Sequence, residues 1–122
     1  MTPYDYIDLP ENGCLAACIG AILDWPATDA ESLCNIFEHG SFYDQIVWIN
    51  KELRGRGYQI KIIDTRRGTP LAGYWIAIGL GAEGDKGDHA VVMRGQRMVY
   101  NPNGGGSLVK RRSAAFLLPV FK

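Results

Sequence analysis

Several features that commonly assign a function are absent from this sequence. Thirteen basic residues balance thirteen acidic ones, so no net field attracts nucleic acid or an anionic membrane surface. No apolar run reaches the roughly 18 residues that a membrane-spanning helix needs. The first residues, MTPYDYIDLPEN, lack the basic start and apolar stretch of a signal peptide. These absences predict a cytoplasmic protein that binds neither nucleic acid nor membrane.

Cysteine and histidine are also scarce. Three cysteines cannot all pair, so we expect free thiols in a reducing cytosol. Structural zinc sites favour paired C-x₂₋₄-C units, whereas Cys14 and Cys18 lack a matching second pair. His39 lies in the last turn of a predicted helix, where a cation is favoured by the helix dipole. A metal site built from Cys14, Cys18, His39 and His89 is therefore the weakest hypothesis, and we expect no metal.

Glycine-rich stretches do not supply a cofactor site either. The stretch GLGAEG at 79–84 fits the dinucleotide pattern G-x-G-x-x-G, but that pattern requires a following helix whose N-terminus holds the pyrophosphate. The residues that follow predict a loop and then a strand. We therefore expect no cofactor.

The periodicity of apolar residues predicts helices early in the chain and strands late. With 122 residues, the chain is expected to form a single domain, 1–122. Helices are predicted over 14–24, 28–38 and 42–54, and strands over 58–65, 74–80, 89–94, 98–101 and 115–121. Three helices followed by an antiparallel sheet predict an α+β fold.

Two of these elements carry specific expectations about burial. The first helix is apolar on every side, which is typical of a buried helix, and we expect Leu15, Cys18, Ile19 and Ile22 to be almost fully buried. In the third helix the side chains predicted to face inward are Ile46, Val47, Ile49 and Leu53. Pro119 in the last strand suits a sheet edge.

Cys14 stands at the first turn of the apolar helix. Free cysteines are usually small buried hydrophobes, and that interpretation suits Cys18 and Cys34. A helix N-terminus, however, stabilises a thiolate, and its N–H groups can hold an oxyanion. Gly13 leaves room for a substrate to approach. This position therefore favours Cys14 as a nucleophile.

His89 begins a strand that is followed, after Gly95, by a second short strand. With Gly95 at the centre of the hairpin, Val91 is predicted to pair with Val99, and His89 with Asn101. Directly opposed residues have Cβ atoms about 5 Å apart. Asn101 would then hold one ring nitrogen of His89 and leave the other for the thiol.

A different turn would remove this arrangement. A two-residue turn at Gly95 and Gln96 would pair Ala90 with Asn101 instead. Because strand side chains alternate between faces, that register puts His89 and Asn101 on opposite faces of the sheet. The hairpin register is therefore the decisive expectation for the site.

These motifs together resemble the papain-like cysteine peptidase superfamily. The cysteine opening a buried helix, H-A-V-V at 89–92 and V-Y-N-P at 99–102 are most similar to the small C39-like (bacteriocin-leader-peptidase-like) domains of bacteria and phages. The resemblance covers Asn12 to about Pro102. It implies a papain-like fold with the nucleophile on a buried helix packed on a C-terminal antiparallel sheet. It also implies Cys14 as nucleophile, His89 as general base and Asn101 as the residue that orients His89.

One departure from the family concerns the oxyanion. Family members usually carry a glutamine a few residues before the cysteine, and this chain has none before Gln45. Asn12 is the nearest amide, and it either donates to the oxyanion or only caps the helix.

Three functions remain open from the sequence. The first is a cytoplasmic cysteine hydrolase that acts on an amide or peptide bond of a peptide or protein, as a peptidase, deamidase or isopeptidase. The second is a weakly active or inactive papain-like scaffold that binds a protein, such as a phage-encoded inhibitor of a host factor. The third is a structural metal domain. The oligomeric state is not predicted.

Overall fold

A computed structural model describes residues 1–4, 14–34, 42–63, 73–81, 88–102 and 108–120 of the chain. It shows an α+β fold with helices first and strands last, as the sequence predicts. The helices are α1 (Cys14–Ile22), α2 (Ala27–Cys34) and α3 (Phe42–Arg54). The strands are β1 (Tyr58–Ile63), β2 (Tyr74–Gly81), β3 (Asp88–Arg94), β4 (Arg97–Tyr100) and β5 (Leu108–Pro119).

The strands form one sheet in the order β1-β5-β2-β3-β4, and every described pairing is antiparallel. Buried residues from all three helices pack on one face of this sheet. We call this cluster the main core; it includes Leu15, Ile19, Leu33, Ile49, Leu53, Ile76, Ile78, Ala90, Val92 and Ala115. A second cluster on the opposite face consists of Trp75, Ala77, Val91 and Ala114, with Met93 and Phe116 at its margin.

The burial of α1 is largely as predicted. Leu15, Cys18 and Ile19 are at most 5% exposed, while Ile22 is only partly buried at the margin of the main core. Because nearly every side of the helix is covered, its apolar residues need no polar face. The helix packs chiefly against α2 and β3.

The end of α1 is a Schellman motif. Asp24 has a positive φ of 57°, the left-handed conformation that usually falls to glycine at this position. The Trp25 N–H donates to the Gly20 carbonyl, and the Asp24 N–H donates to the Ala21 carbonyl. The turn thereby satisfies two of the carbonyls left open at the end of the helix.

For one residue of α3, Val47, the prediction that its side chain faces inward is wrong. Ile49 and Leu53 are fully buried and Ile46 is partly buried, but Val47 is 51% exposed. Residues three and four apart share a helix face, so Val47 cannot lie on the face defined by Ile46, Ile49 and Leu53.

In the described part of the chain no helix is both long and apolar enough to cross a membrane.

The last strand differs from its prediction in length and position. β5 begins at Leu108 and lies inside the sheet, between β1 and β2. Pro119 pairs with Tyr58 of β1, and the described pairing of β5 with β2 ends at Ala115. Pro119 therefore lies beyond the described pairing of β5 with β2. The N–H that proline lacks removes no hydrogen bond from that pairing.

Candidate active site

The β3–β4 hairpin turns through two residues, Gly95 and Gln96. Arg94 pairs with Arg97 across this turn, and Gly95 has φ +60°. Glycine at the first turn position with a positive φ is typical of a type II′ turn, whose twist matches that of the flanking strands. The indole Nε1 of Trp75 donates to the Gly95 carbonyl at 2.7 Å, which ties the turn to the second cluster.

The predicted register of this hairpin is wrong. Met93 pairs with Met98, so the ladder starts in the two-residue register and not with Gly95 at its centre. The register then shifts by one residue, because Val92 pairs with Tyr100. Val99 is the extra residue of a β-bulge, in which two residues of one strand oppose one residue of the other.

The bulge restores the face relationship that the two-residue turn would have broken. His89 and Asn101 are not directly opposed, but both lie on the face opposite the main core. The His89 Nε2 and the Asn101 Oδ1 are 2.8 Å apart, a hydrogen-bond distance. The structure thus brings together the predicted base and its orienting amide, although by a different register from the one expected.

This hydrogen bond selects the form of the imidazole. An amide oxygen only accepts hydrogen bonds, so Nε2 carries the proton and Nδ1 carries the lone pair in the neutral ring. His89 is 5% exposed, and a buried polar side chain normally requires such a partner. The arrangement suits a base that accepts a proton at Nδ1 while Asn101 holds the opposite nitrogen.

Gly79 of β2 pairs directly with His89. The strand prediction included this glycine but assigned it no role beside the histidine. Glycine inside a strand often marks a place where another group approaches closely. Here it leaves the position next to the imidazole, on the same face of the sheet, without a side chain.

The body of α1 lies on the other face of the sheet. Ala90 and Val92 belong to the main core with α1, whereas His89 shares the face of Val91 because strand side chains alternate. His89 is the second residue of β3. A group on α1 would therefore reach the imidazole past the end of the strand and not across the sheet.

One contact relates the residue that follows α1 to an end of the sheet. Trp25 lies just after α1, and the Arg56 guanidinium lies 4.3 Å from the centre of its ring. Arg56 is two residues before Tyr58, which pairs with Pro119. That end of the antiparallel sheet also contains the β3–β4 turn. Trp25, which follows the end of α1, therefore lies near the sheet end opposite to the one that carries His89.

The other predicted site residues are placed only in part. Cys14 is the first residue of α1, and its side chain lies outside the described part of the structure. Asn12 and His39 lie outside the described residues altogether. Cys18 is buried in the main core. Among the described residues, no group of three or more histidine, cysteine, aspartate or glutamate side chains is arranged to hold a metal ion.

Comparison with known proteins adds no assignment. No family model, no curated protein and no solved structure matches the chain. An assignment of function therefore rests on the residues and their geometry.

Proposed function

We propose that this protein is a cysteine hydrolase that cleaves an amide or peptide bond with Cys14, His89 and Asn101. The observation that carries the proposal is the 2.8 Å contact between His89 Nε2 and Asn101 Oδ1. A base held by a third group, with its other nitrogen directed at a nucleophile, is the arrangement that activates a thiol. The resemblance of the cysteine, histidine and asparagine motifs to papain-like peptidases supports the same roles.

The position of Cys14 at the start of α1 supports its role as the nucleophile. The contact of Arg56 with Trp25, just after α1, lies near the sheet end opposite to His89, which supports a start of the helix nearer to the imidazole. Nine residues make a helix of about 13 Å, comparable with the length of a strand. The helix N-terminus also stabilises a thiolate.

The proposed reaction has two halves. His89 Nδ1 takes the proton of the Cys14 thiol, and the sulfur attacks the carbonyl carbon of the substrate. The resulting oxyanion is stabilised by N–H groups at the start of α1 and, in this proposal, by Asn12. The intermediate collapses to a thioester as His89 protonates the leaving amine. Water then attacks the thioester with His89 as base, which releases the carboxylic acid and restores the thiol.

A protein-binding module without activity is the second candidate. It is favoured by the position of His89 on the sheet face opposite the body of α1, which restricts any meeting with Cys14 to the end of β3. In that case the His89–Asn101 bond would serve only to satisfy a buried imidazole. The two candidates differ in the reactivity of Cys14.

Competition among the three cysteines tests the proposal. A short pulse of iodoacetamide at about pH 6 should alkylate Cys14 first, because the proposed site stabilises its thiolate. An unperturbed thiol has a pKa of about 8.5 and is mostly protonated at that pH. Cys18 is the internal control, since it is fully buried. Peptide mass mapping across a pH series measures the rates.

Two variants identify the cause of the reactivity. His89→Gln and Asn101→Ala should each slow the labelling of Cys14, whereas His39→Gln should leave it unchanged. Circular dichroism and the unfolding midpoint show whether each variant is folded. If Cys14 labels only above about pH 8, as an ordinary thiol does, or if folded His89→Gln labels at the native rate, the hydrolase proposal is wrong and the binding module replaces it.

A further inference from the structure

Two consecutive residues of β4 face the same side of the sheet. Tyr100 belongs to the main core and is 9% exposed, and Val99 packs against the same cluster. In a regular strand, neighbouring side chains point to opposite faces. Here Val99 and Tyr100 both oppose Val92, so one step of the alternation is missing.

The missing step decides the face on which the next residue lies. If the pairing of Met93 with Met98 continued without a shift, Val99 would oppose Val92. Asn101 would then oppose Ala90, on the face of the main core. The bulge transfers Asn101 to the other face, where its Oδ1 lies 2.8 Å from His89 Nε2.

We propose that this bulge is the positioning element of the candidate site, and that Tyr100 is the positioning residue that holds it. The side chain of Tyr100 occupies the main core opposite Val92 and thereby fixes the shifted register. Bulges commonly reorient a side chain next to an active site. The catalytic meaning of this role rests on the proposed hydrolase function. The hydrogen bond between His89 and Asn101 can be measured whether or not the protein is a hydrolase.

The residue after Asn101 supports the same role. Pro102 is buried, and a residue that precedes proline is restricted to extended conformations. Asn101 is therefore held between a buried tyrosine and a buried proline. Its backbone has little freedom to turn the amide away from His89.

The proposal predicts a specific pattern of rescue. Tyr100→Ala removes the side chain that holds the bulge, so the ladder should relax to the unshifted register and separate Asn101 from His89. Deletion of Val99 removes the extra residue, and a regular ladder then places Tyr100 opposite Val92 and Asn101 on the face of His89. Deletion of Val99 should therefore preserve the pair, and it should restore the pair when combined with Tyr100→Ala. Tyr100→Phe is the conservative control.

The readout is the imidazole itself. In a His39→Gln background His89 is the only histidine, and ¹⁵N-histidine labelling makes its Nε2–H visible by NMR when the hydrogen bond protects the proton from exchange. We expect the Nε2–H signal in the parent protein, in Tyr100→Phe, in the Val99 deletion and in the deletion combined with Tyr100→Ala. We expect loss of the signal in Tyr100→Ala and in Asn101→Ala.

The outcomes separate the two proposals. Retention of the signal in folded Tyr100→Ala, its loss in the folded Val99 deletion, or failure of the combined variant to restore it would each overturn the positioning role. A purely structural role of Tyr100 predicts that failure, because the combined variant lacks both core side chains. If the rescue pattern holds but Cys14 of the parent protein labels as an ordinary thiol, the positioning role stands and the hydrolase function fails.

Discussion

Tyr4 lies directly against Gly20 of α1. A β-carbon added at Gly20 would come 2.5 Å from the Tyr4 hydroxyl oxygen and 2.8 Å from the Cβ of Ala30. The same hydroxyl donates a hydrogen bond to the main-chain carbonyl of Trp25. Burial raises the pKa of Tyr4 to about 12, with a further contribution from Asp29 and Asp24. The glycine thus allows the N-terminal segment and α2 to approach the helix closely.

Gly20→Ala should therefore destabilise the protein. The added methyl group overlaps Tyr4 and Ala30, and overpacking of this kind costs about 1–3 kcal/mol. Gly55→Ala is the matched control, because among the described residues a β-carbon there meets only the Glu52 carbonyl oxygen, at 3.4 Å. Urea unfolding of the two variants measures the difference. Equal midpoints would show that Tyr4 moves aside without cost.

Ile19→Ala should cost about 2–5 kcal/mol, the usual range for a large-to-small change in a core. Ile19 is fully buried, whereas Val47 of α3 is 51% exposed. Val47→Ala should change the free energy of unfolding by no more than about 0.5 kcal/mol, as surface substitutions usually do. A loss below about 1 kcal/mol for Ile19→Ala would contradict the burial of α1.

Asp24→Asn should destabilise the protein at neutral pH but not in acid. The Thr2 hydroxyl donates to the Asp24 carboxylate at 2.6 Å, and this bond lowers the pKa of Asp24. Because the pKa is lower in the folded than in the unfolded state, the ionised carboxylate stabilises the fold at pH 7. That contribution disappears as the pH falls through the folded-state pKa.

Unfolding midpoints over a pH series from 7 to about 2, which passes through the usual aspartate pKa and continues below it, provide the measurement. Asparagine tolerates the left-handed backbone of residue 24, so the substitution tests the charge and not the conformation. Thr2→Val should reproduce part of the effect. A difference between Asp24→Asn and the parent that persists unchanged in acid would show that the carboxylate charge is irrelevant.

Gly95→Ala should destabilise the hairpin through its backbone. Gly95 has φ +60°, and an L-residue with a Cβ pays about 1–2 kcal/mol in that region. Among the described residues, no atom outside the neighbouring residues lies within 4 Å of the added β-carbon, so the expected cost comes from the backbone. Gly95→Asn is the control, since asparagine adopts positive φ more readily. Thermal unfolding should place Asn between Gly and Ala, and the reverse order of Asn and Ala would contradict the type II′ turn.

Most of the helices and strands were predictable from local pattern. The apolar residues of α1 and the inward side chains Ile49 and Leu53 follow from helical periodicity. The exposure of Val47 was not predictable in this way, because the sequence does not show whether an apolar residue next to an apolar stripe is itself buried. The early start of β5 was also missed, since its first residues include the basic run Lys110, Arg111 and Arg112, which resembles a solvated segment.

The contact between the His89 and Asn101 side chains was predicted, but the strand register that produces it was not. Sequence alone shows that Val99 and Tyr100 are adjacent residues able to face a core, and either can stand opposite Val92. Which one does so depends on how the two side chains pack against the main core. That choice is made by tertiary packing, so a bulge cannot be read from the local sequence.

Trp75 gives the hairpin a spectroscopic reporter. Its ring is completely buried, and its Nε1 is bonded to the carbonyl of the β3–β4 turn. Trp48 is 53% exposed beside Lys51, so in a Trp25→Phe background soluble iodide should quench Trp48 while Trp75 continues to emit at shorter wavelengths. The blue edge of the emission spectrum therefore follows the opening of the turn, and with it the strand that carries the imidazole.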